Sequence, residues 1–212
     1  MRKTIFVCFV CFTIIFTVCS CQTEGDPSEK TTDIKEELIN IESYSCGAKI
    51  KVVSNNGSND YYVNIAWQKD GRYRIKTEQP KILTGNIILF DGKGLWQYNT
   101  NVESKISIVG ANPDFEGKNK VFISEFMKNY LNGSNSTQNE IFKDGKNYLV
   151  LSAEPNYGKY FAKQTLWIDS NEKVPVKLET YNDENKPIFI AEFFDFKFNE
   201  KFSEDIFDIS KY

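Results

Sequence analysis

Run after run of this chain alternates polar and apolar residues one by one, and a period of two restricts it to half-buried antiparallel strands. Ile50 and Val52 oppose Lys49 and Lys51, while Tyr61, Val63, Ile65 and Trp67 share a face. Tyr73 and Ile75 oppose Arg72, Arg74 and Lys76; Val174, Val176 and Leu178 oppose Lys173, Lys177 and Glu179. In the last run Ile188, Ile190, Phe194, Phe196 and Phe198 are expected on one face, interrupted by Glu192. Turn chemistry separates the runs: Lys69-Asp70-Gly71, Asp91-Gly92-Lys93-Gly94, Lys143-Asp144-Gly145, Asp169 to Glu172 and Asn182 to Asn185. Asp-Gly supplies the positive backbone angles of tight hairpins. The spacing predicts about eleven strands in a meander.

Two stretches carry a helical period instead. Ile34, Leu38 and Ile41 fall on one face of a short helix over 33–41, with Asp33 and Glu36 placed as an N-terminal cap. Phe122, Phe126 and Tyr130 recur within Val121 to Leu131, and Asn132-Gly133 ends that helix. Two short helices cannot cover eleven flat strands, so the sheet must curl around them. The expected fold is mainly β (α+β): a single curled antiparallel sheet, a half-barrel, with short helices on its concave side. Of 31 aromatic residues, 27 lie after the first twenty positions, enough for a thick core. The concave side is either a filled core or a cavity for acyl chains or a partner segment, and composition favours the filled core.

The N-terminus has a different grammar. Met1-Arg2-Lys3 is followed by an apolar run from Thr4 to Val18 and then Cys19-Ser20-Cys21. This is the order of a secretory signal, and about 15 apolar residues are too few for a membrane span. Residues 1–20 are therefore expected to be a lipoprotein signal peptide. Val18-Cys19-Ser20-Cys21 resembles the bacterial lipobox, which implies that Cys21 is lipidated and becomes the new N-terminus. Residues 21–32 form the lipidated Cys and a polar tether, reaching roughly 35–40 Å when extended. Residues 33–212 are the β domain. The expected location is the outer face of a bacterial cytoplasmic membrane.

Composition excludes several functions. The 212 residues contain no His, which removes Ser-His-Asp hydrolases, Cys-His proteases and His-ligated zinc sites. Loss of Arg2 and Lys3 with the signal leaves 24 basic against 29 acidic side chains, a balance unsuited to nucleic acid. Only Cys46 remains beyond the lipobox, so an internal disulfide is impossible and the thiol reads as a small buried hydrophobe. Glu204, Asp205 and Asp208, and likewise Asp183 and Glu184, lack calcium-loop spacing and read as solvated turns. No catalytic residue, metal ligand or cofactor site emerges.

Three segments carry a family resemblance. Phe90-Asp91-Gly92-Lys93-Gly94-Leu95-Trp96-Gln97-Tyr98 resembles the D-G-x-x-x-W-x-Y hairpin of the LolA-like fold. Leu166-Trp167-Ile168-Asp169, followed by Lys173-Val174-Pro175-Val176-Lys177, resembles its W-I-D…P-x-K hairpin. Phe193 to Phe198, then Asn199 and Asp205-Ile206-Phe207, is similar to its closing strand and final turn. Within that fold, a short lipobox protein rich in Lys, Asn, Ile and Phe resembles the clostridial spore germination lipoproteins of the GerS and GerS-related family. The resemblance implies a non-enzymatic partner of the spore-cortex amidase CwlD at the outer forespore membrane, needed for muramic-δ-lactam formation and germination. The alternative is an envelope lipid- or lipoprotein-binding protein that uses the concave apolar face. Long edge strands would also permit a strand-exchanged homodimer.

Candidate binding residues follow from exposure and charge. Lys69, Arg72, Arg74 and Lys76 form a basic strip suited to an acidic partner or anionic headgroups, or else a solvated strand face. Trp67, Trp96 and Trp167 line a groove or anchor a partner, or else fill the core.

Overall fold

The structure is a computed structural model and describes residues 34–108, 121–155 and 161–212. The lipobox, the tether, the Asp33 cap and the loop around Pro113 lie outside the described residues. Helix α1 spans 34–39. Six strands follow: β1 (Ser43–Ser54), β2 (Gly57–Gln68), β3 (Tyr73–Gln79), β4 (Asn86–Phe90), β5 (Leu95–Asn99) and β6 (Ser104–Ser107). Helix α2 (Ile123–Asn132) leads to β7 (Thr137–Lys143), β8 (Lys146–Ala153), β9 (Lys163–Asp169), β10 (Val174–Tyr181) and β11 (Pro187–Phe198). Short 3-10 turns at Glu204–Phe207 and Ile209–Lys211 close the chain.

All eleven strands belong to one open antiparallel sheet, ordered β6-β5-β4-β3-β2-β1-β11-β10-β9-β8-β7. The expected strand count and fold class hold, but the meander is broken once. The chain runs outward from β1 to β6, reappears at the opposite edge as β7, and returns until β11 pairs with β1. Two six- and five-stranded wings therefore meet at a seam made by the first and last strands.

Asp-Gly works as expected at the β7–β8 turn. Asp144 and Gly145 have φ of 51° and 79°, the pair of positive angles that a two-residue hairpin needs. The concave face is packed. Ile34 and Leu38 from α1, with Phe126 and Met127 from α2, meet Tyr44, Ile65, Leu151, Leu166 and Leu178 from the strands in one cluster. At about 25 cal/mol per Å² of apolar surface, such burial is the dominant stabilising term. Tyr44 is its aromatic hub, stacked 5.3 Å from Trp67 and 5.2 Å from Phe196.

One strand corrects the alternation argument. Phe196 and Phe198 pack against the concave core as expected, but Ile188, Ile190 and Phe194 do not share their face. Ala191 and Phe193 are the buried residues of that stretch, and Phe194 is 45% exposed on the convex side. The register shifts between Ser45 and Gly47, and Asp195 sits at φ 51°. This is a β-bulge: one extra residue flips every later side chain to the other face. The ring of Phe194 lies across Gly47, where any Cβ would overlap it.

Candidate functional site

The functional question is which surface of the sheet is free, because the chain's own helices and aromatics occupy the concave face. Trp67 is 8% exposed and belongs to that core. Trp96 and Trp167 lie on the convex face, each with its indole N–H committed. Trp96 donates to Asp91 Oδ2 at 2.9 Å and Trp167 donates to Glu179 Oε2 at 2.8 Å.

These contacts explain why the two hairpin motifs have their residue types. Asp91 Oδ1 accepts the backbone N–H groups of Lys93 and Gly94, both at 2.8 Å, while its other oxygen takes the Trp96 indole. One carboxylate thereby locks the turn and aims the tryptophan that follows. Asp169 locks the β9–β10 turn in the same way, accepting from the N–H groups of Asn171 and Glu172, but its other oxygen takes the Lys146 ammonium and not an indole. Burial opposes its ionisation, but the Glu172 and Asn171 backbone donors and the Lys146 ammonium at 3.1 Å hold its carboxyl below the ordinary value. The motif carboxylates are thus turn locks with their oxygens already engaged.

Of the basic strip, Arg74 and Lys76 lie on the convex face of β3 and Arg72 just before it, with Arg72 and Arg74 under the C-terminal segment and Lys69 in the β2–β3 turn. Arg72 pairs with Asp70 at 2.7 Å and with Glu204 at 2.5 Å, and its guanidinium lies 5.3 Å from the Phe207 ring. The Glu204 hydrogen bond, together with Asp70, raises the Arg72 pKa further. Arg74 sits 5.5 Å over Tyr212, and Lys76 pairs with Glu78 at 2.9 Å. Lys69 pairs with Glu42 at 2.6 Å. Glu204 is a solvated turn residue as expected, 80% exposed, and it adds an ion pair to Arg72 alone of the strip.

The same segment creates a second apolar layer that alternation did not anticipate. Leu89 pairs with Arg74 and Trp96, and Ile87 with Lys76 and Tyr98, so both face the tail. Both are almost fully buried, as are Ala66 and Phe207. Phe207 meets Phe202 edge-on at 5.5 Å, and Tyr98 tilts against Tyr212 at 5.6 Å. After Asn86, the β4 run Ile87-Ile88-Leu89-Phe90 is apolar without alternation, which is the signal of a strand buried on both sides.

Cys46 is buried in the concave core, and burial pushes its thiol far above the ordinary value. A protonated, enclosed thiol is a small hydrophobe, as its solitude in the sequence suggested. Tyr73 is raised to about 12 by burial between Phe90 and Phe122. Both shifts come from desolvation within the core.

Among the described residues, nothing covers the convex half formed by β8–β11 in the same way. There Trp167 stands among Tyr148, Lys143, Lys177 and Glu192 beside an open groove. Sequence reading singled out Trp167 but not its neighbours, which come from four other strands or turns.

Comparison with known proteins agrees with this architecture. A relative from Bacillus subtilis, the sporulation protein YdcC, is 22% identical over 200 residues, covering 93% of this chain. The chain spans only 57% of that relative's length. The crystal structure of MucB superposes with a TM-score of 0.51 at 14% identity, over 87% of this chain and 64% of MucB. A putative outer membrane lipoprotein-sorting domain from Vibrio parahaemolyticus matches at TM-score 0.48 and 14% identity, over 86% and 96% of the two chains. The structure of the CwlD amidase from Clostridioides difficile in complex with the GerS lipoprotein matches at TM-score 0.47 and 26% identity, over 82% and 96%. The fold is LolA-like, as the hairpin motifs implied. The model for "Sporulation protein YdcC-like" proteins matches residues 1–207, and the chain therefore belongs to that family of sporulation proteins.

Proposed function

We propose that this sporulation protein is a membrane-anchored, non-catalytic lipoprotein that binds and activates a cell-wall amidase of the CwlD type. The observation that carries the reading is the filled concave face. A lipid or lipoprotein carrier of this fold needs that face open, whereas here α1, α2 and the Tyr44–Trp67–Phe196 stack occupy it. Binding is left to the convex face and the sheet edges, which suit a protein partner. The amidase as partner follows from the resemblance to the GerS family. Cys21 carries the lipid in this reading, and the chain acts from the outer face of the membrane.

The open edges β6 and β7 support a second mode, pairing or strand exchange between two copies. Both would leave the amidase reading intact.

The test is native mass spectrometry of the full chain, purified in detergent, with and without the amidase of the same organism. A discrete complex with raised amidase activity is expected. Lipid adducts that survive desalting, with no complex, would replace this reading by the lipid-binding one. Anchoring is tested separately: palmitate label should enter the wild type and vanish in Cys21→Ala.

A further inference from the structure

We propose that the convex face over β8–β11 binds a saccharide bearing a carboxylate, with the groove beside Trp167 as its subsite. This site is independent of the amidase reading. The groove holds about 290 Å³, the scale of one pyranose ring with room for substituents, and its lining includes Tyr148, Trp167, Lys143 and Glu192.

The aromatic wall is pre-organised. Glu179 accepts the Trp167 indole N–H at 2.8 Å, the Tyr181 hydroxyl at 3.0 Å and the Lys177 ammonium at 3.1 Å. Lys177 in turn lies 4.3 Å from the indole centroid, and Tyr148 stands edge-on at 5.8 Å. An indole held from its N–H and by a cation cannot rotate away, so little ordering cost remains when a ligand stacks on it. Sugar rings present C–H faces that pack on such aromatic surfaces, while their hydroxyls need acceptors.

The polar groups supply the complement. Glu179 is spent, but Lys143 and Glu192 have no ion-pair partner among the described residues, and Lys143 sits 5.8 Å from the Trp167 ring. One free ammonium and one free carboxylate flank one aromatic wall. The carboxylate suits hydroxyl donors, and the ammonium suits an acid group on the same ligand. An acyl chain would have to desolvate both charges without pairing either. A nucleic-acid strand needs repeated cations, not one cation matched by one anion.

The probe pair is the N-acetylglucosamine–N-acetylmuramic acid disaccharide, which carries a carboxylate, and the neutral N-acetylglucosamine dimer. The full chain in detergent is titrated with each, by saturation-transfer NMR and calorimetry. The acidic disaccharide should bind more tightly, and Trp167→Ala should weaken both by about tenfold, the scale of one aromatic contact. Lys143 is the exposed last residue of β7, so Lys143→Glu should keep the fold and Tm while erasing the preference for the acidic sugar. No binding of either sugar, equal affinity for the two, or a preference unchanged in Lys143→Glu would overturn the proposal.

Discussion

The two halves of the convex face are built from the same sheet but finished differently. Over β3–β5 the C-terminal segment lies across the strands and buries Leu89 and Phe207 to 0% and 2% exposure. Over β8–β11 no described segment lies across the strands, and the aromatic side chains there share the surface with Lys143, Lys177 and Glu192. The difference shows how one sheet divides its labour. A strand covered on both sides can drop its alternation, as β4 does from Ile87 to Phe90. A strand with one wet face must temper its aromatics with charges, as β9 and β10 do.

The largest effect should come from uncovering the closed half. Phe207→Ala removes a buried ring between Phe202 and Arg72 and should cost about 3–5 kcal/mol in urea unfolding. A cost below about 1 kcal/mol would mean that the tail merely rests on the sheet, and the two halves would no longer differ.

Next comes the Asp169 lock beneath the open half. Its carboxyl ionises below the ordinary value of 3.8 in the folded chain. The stability it contributes is therefore fully present above that value and is lost as pH falls through the folded pKa. Asp169→Asn should lower stability at neutral pH and flatten the acid limb of the stability curve, measured by thermal unfolding between pH 2 and 6 (roughly the carboxylate range). An unchanged acid limb would sink the assignment.

The smallest effect belongs to the clamp on the tail. Arg72→Gln should cost about 0.5–1 kcal/mol, because Glu204 is 80% exposed and water screens the pair. High salt should shrink the difference between wild type and variant. A loss as large as that of Phe207→Ala would shift the weight of the tail contact from its ring to its charge.

Much of this fold was legible one segment at a time. The alternating runs, the Asp-Gly turns and the periods of Ile34–Leu38 and Phe122–Phe126 each lie within a dozen residues. Asp91 and Asp169 could be placed at turns from spacing alone, because a turn lock reaches only two or three residues along the chain. The Trp167 surroundings were not legible. Lys143 and Tyr148 reach the indole through the β7–β8–β9 ladder, Lys177 through β10 and Glu192 through β11.

What the sequence determined by itself was therefore local: a strand period, turn positions, two helical faces and a thiol too isolated to form a disulfide. Only the tertiary structure decided that β1 and β11 form the central seam, that the bulge at Asp195 turns Phe194 outward, and that the tail covers one half of the sheet. The physical reason is that a period of two names two faces without saying which is inner. In a run such as Ile188 to Phe198, apolar residues occupy both faces. The choice then falls to pairing partners over a hundred residues away and to the helices that fill the concave side.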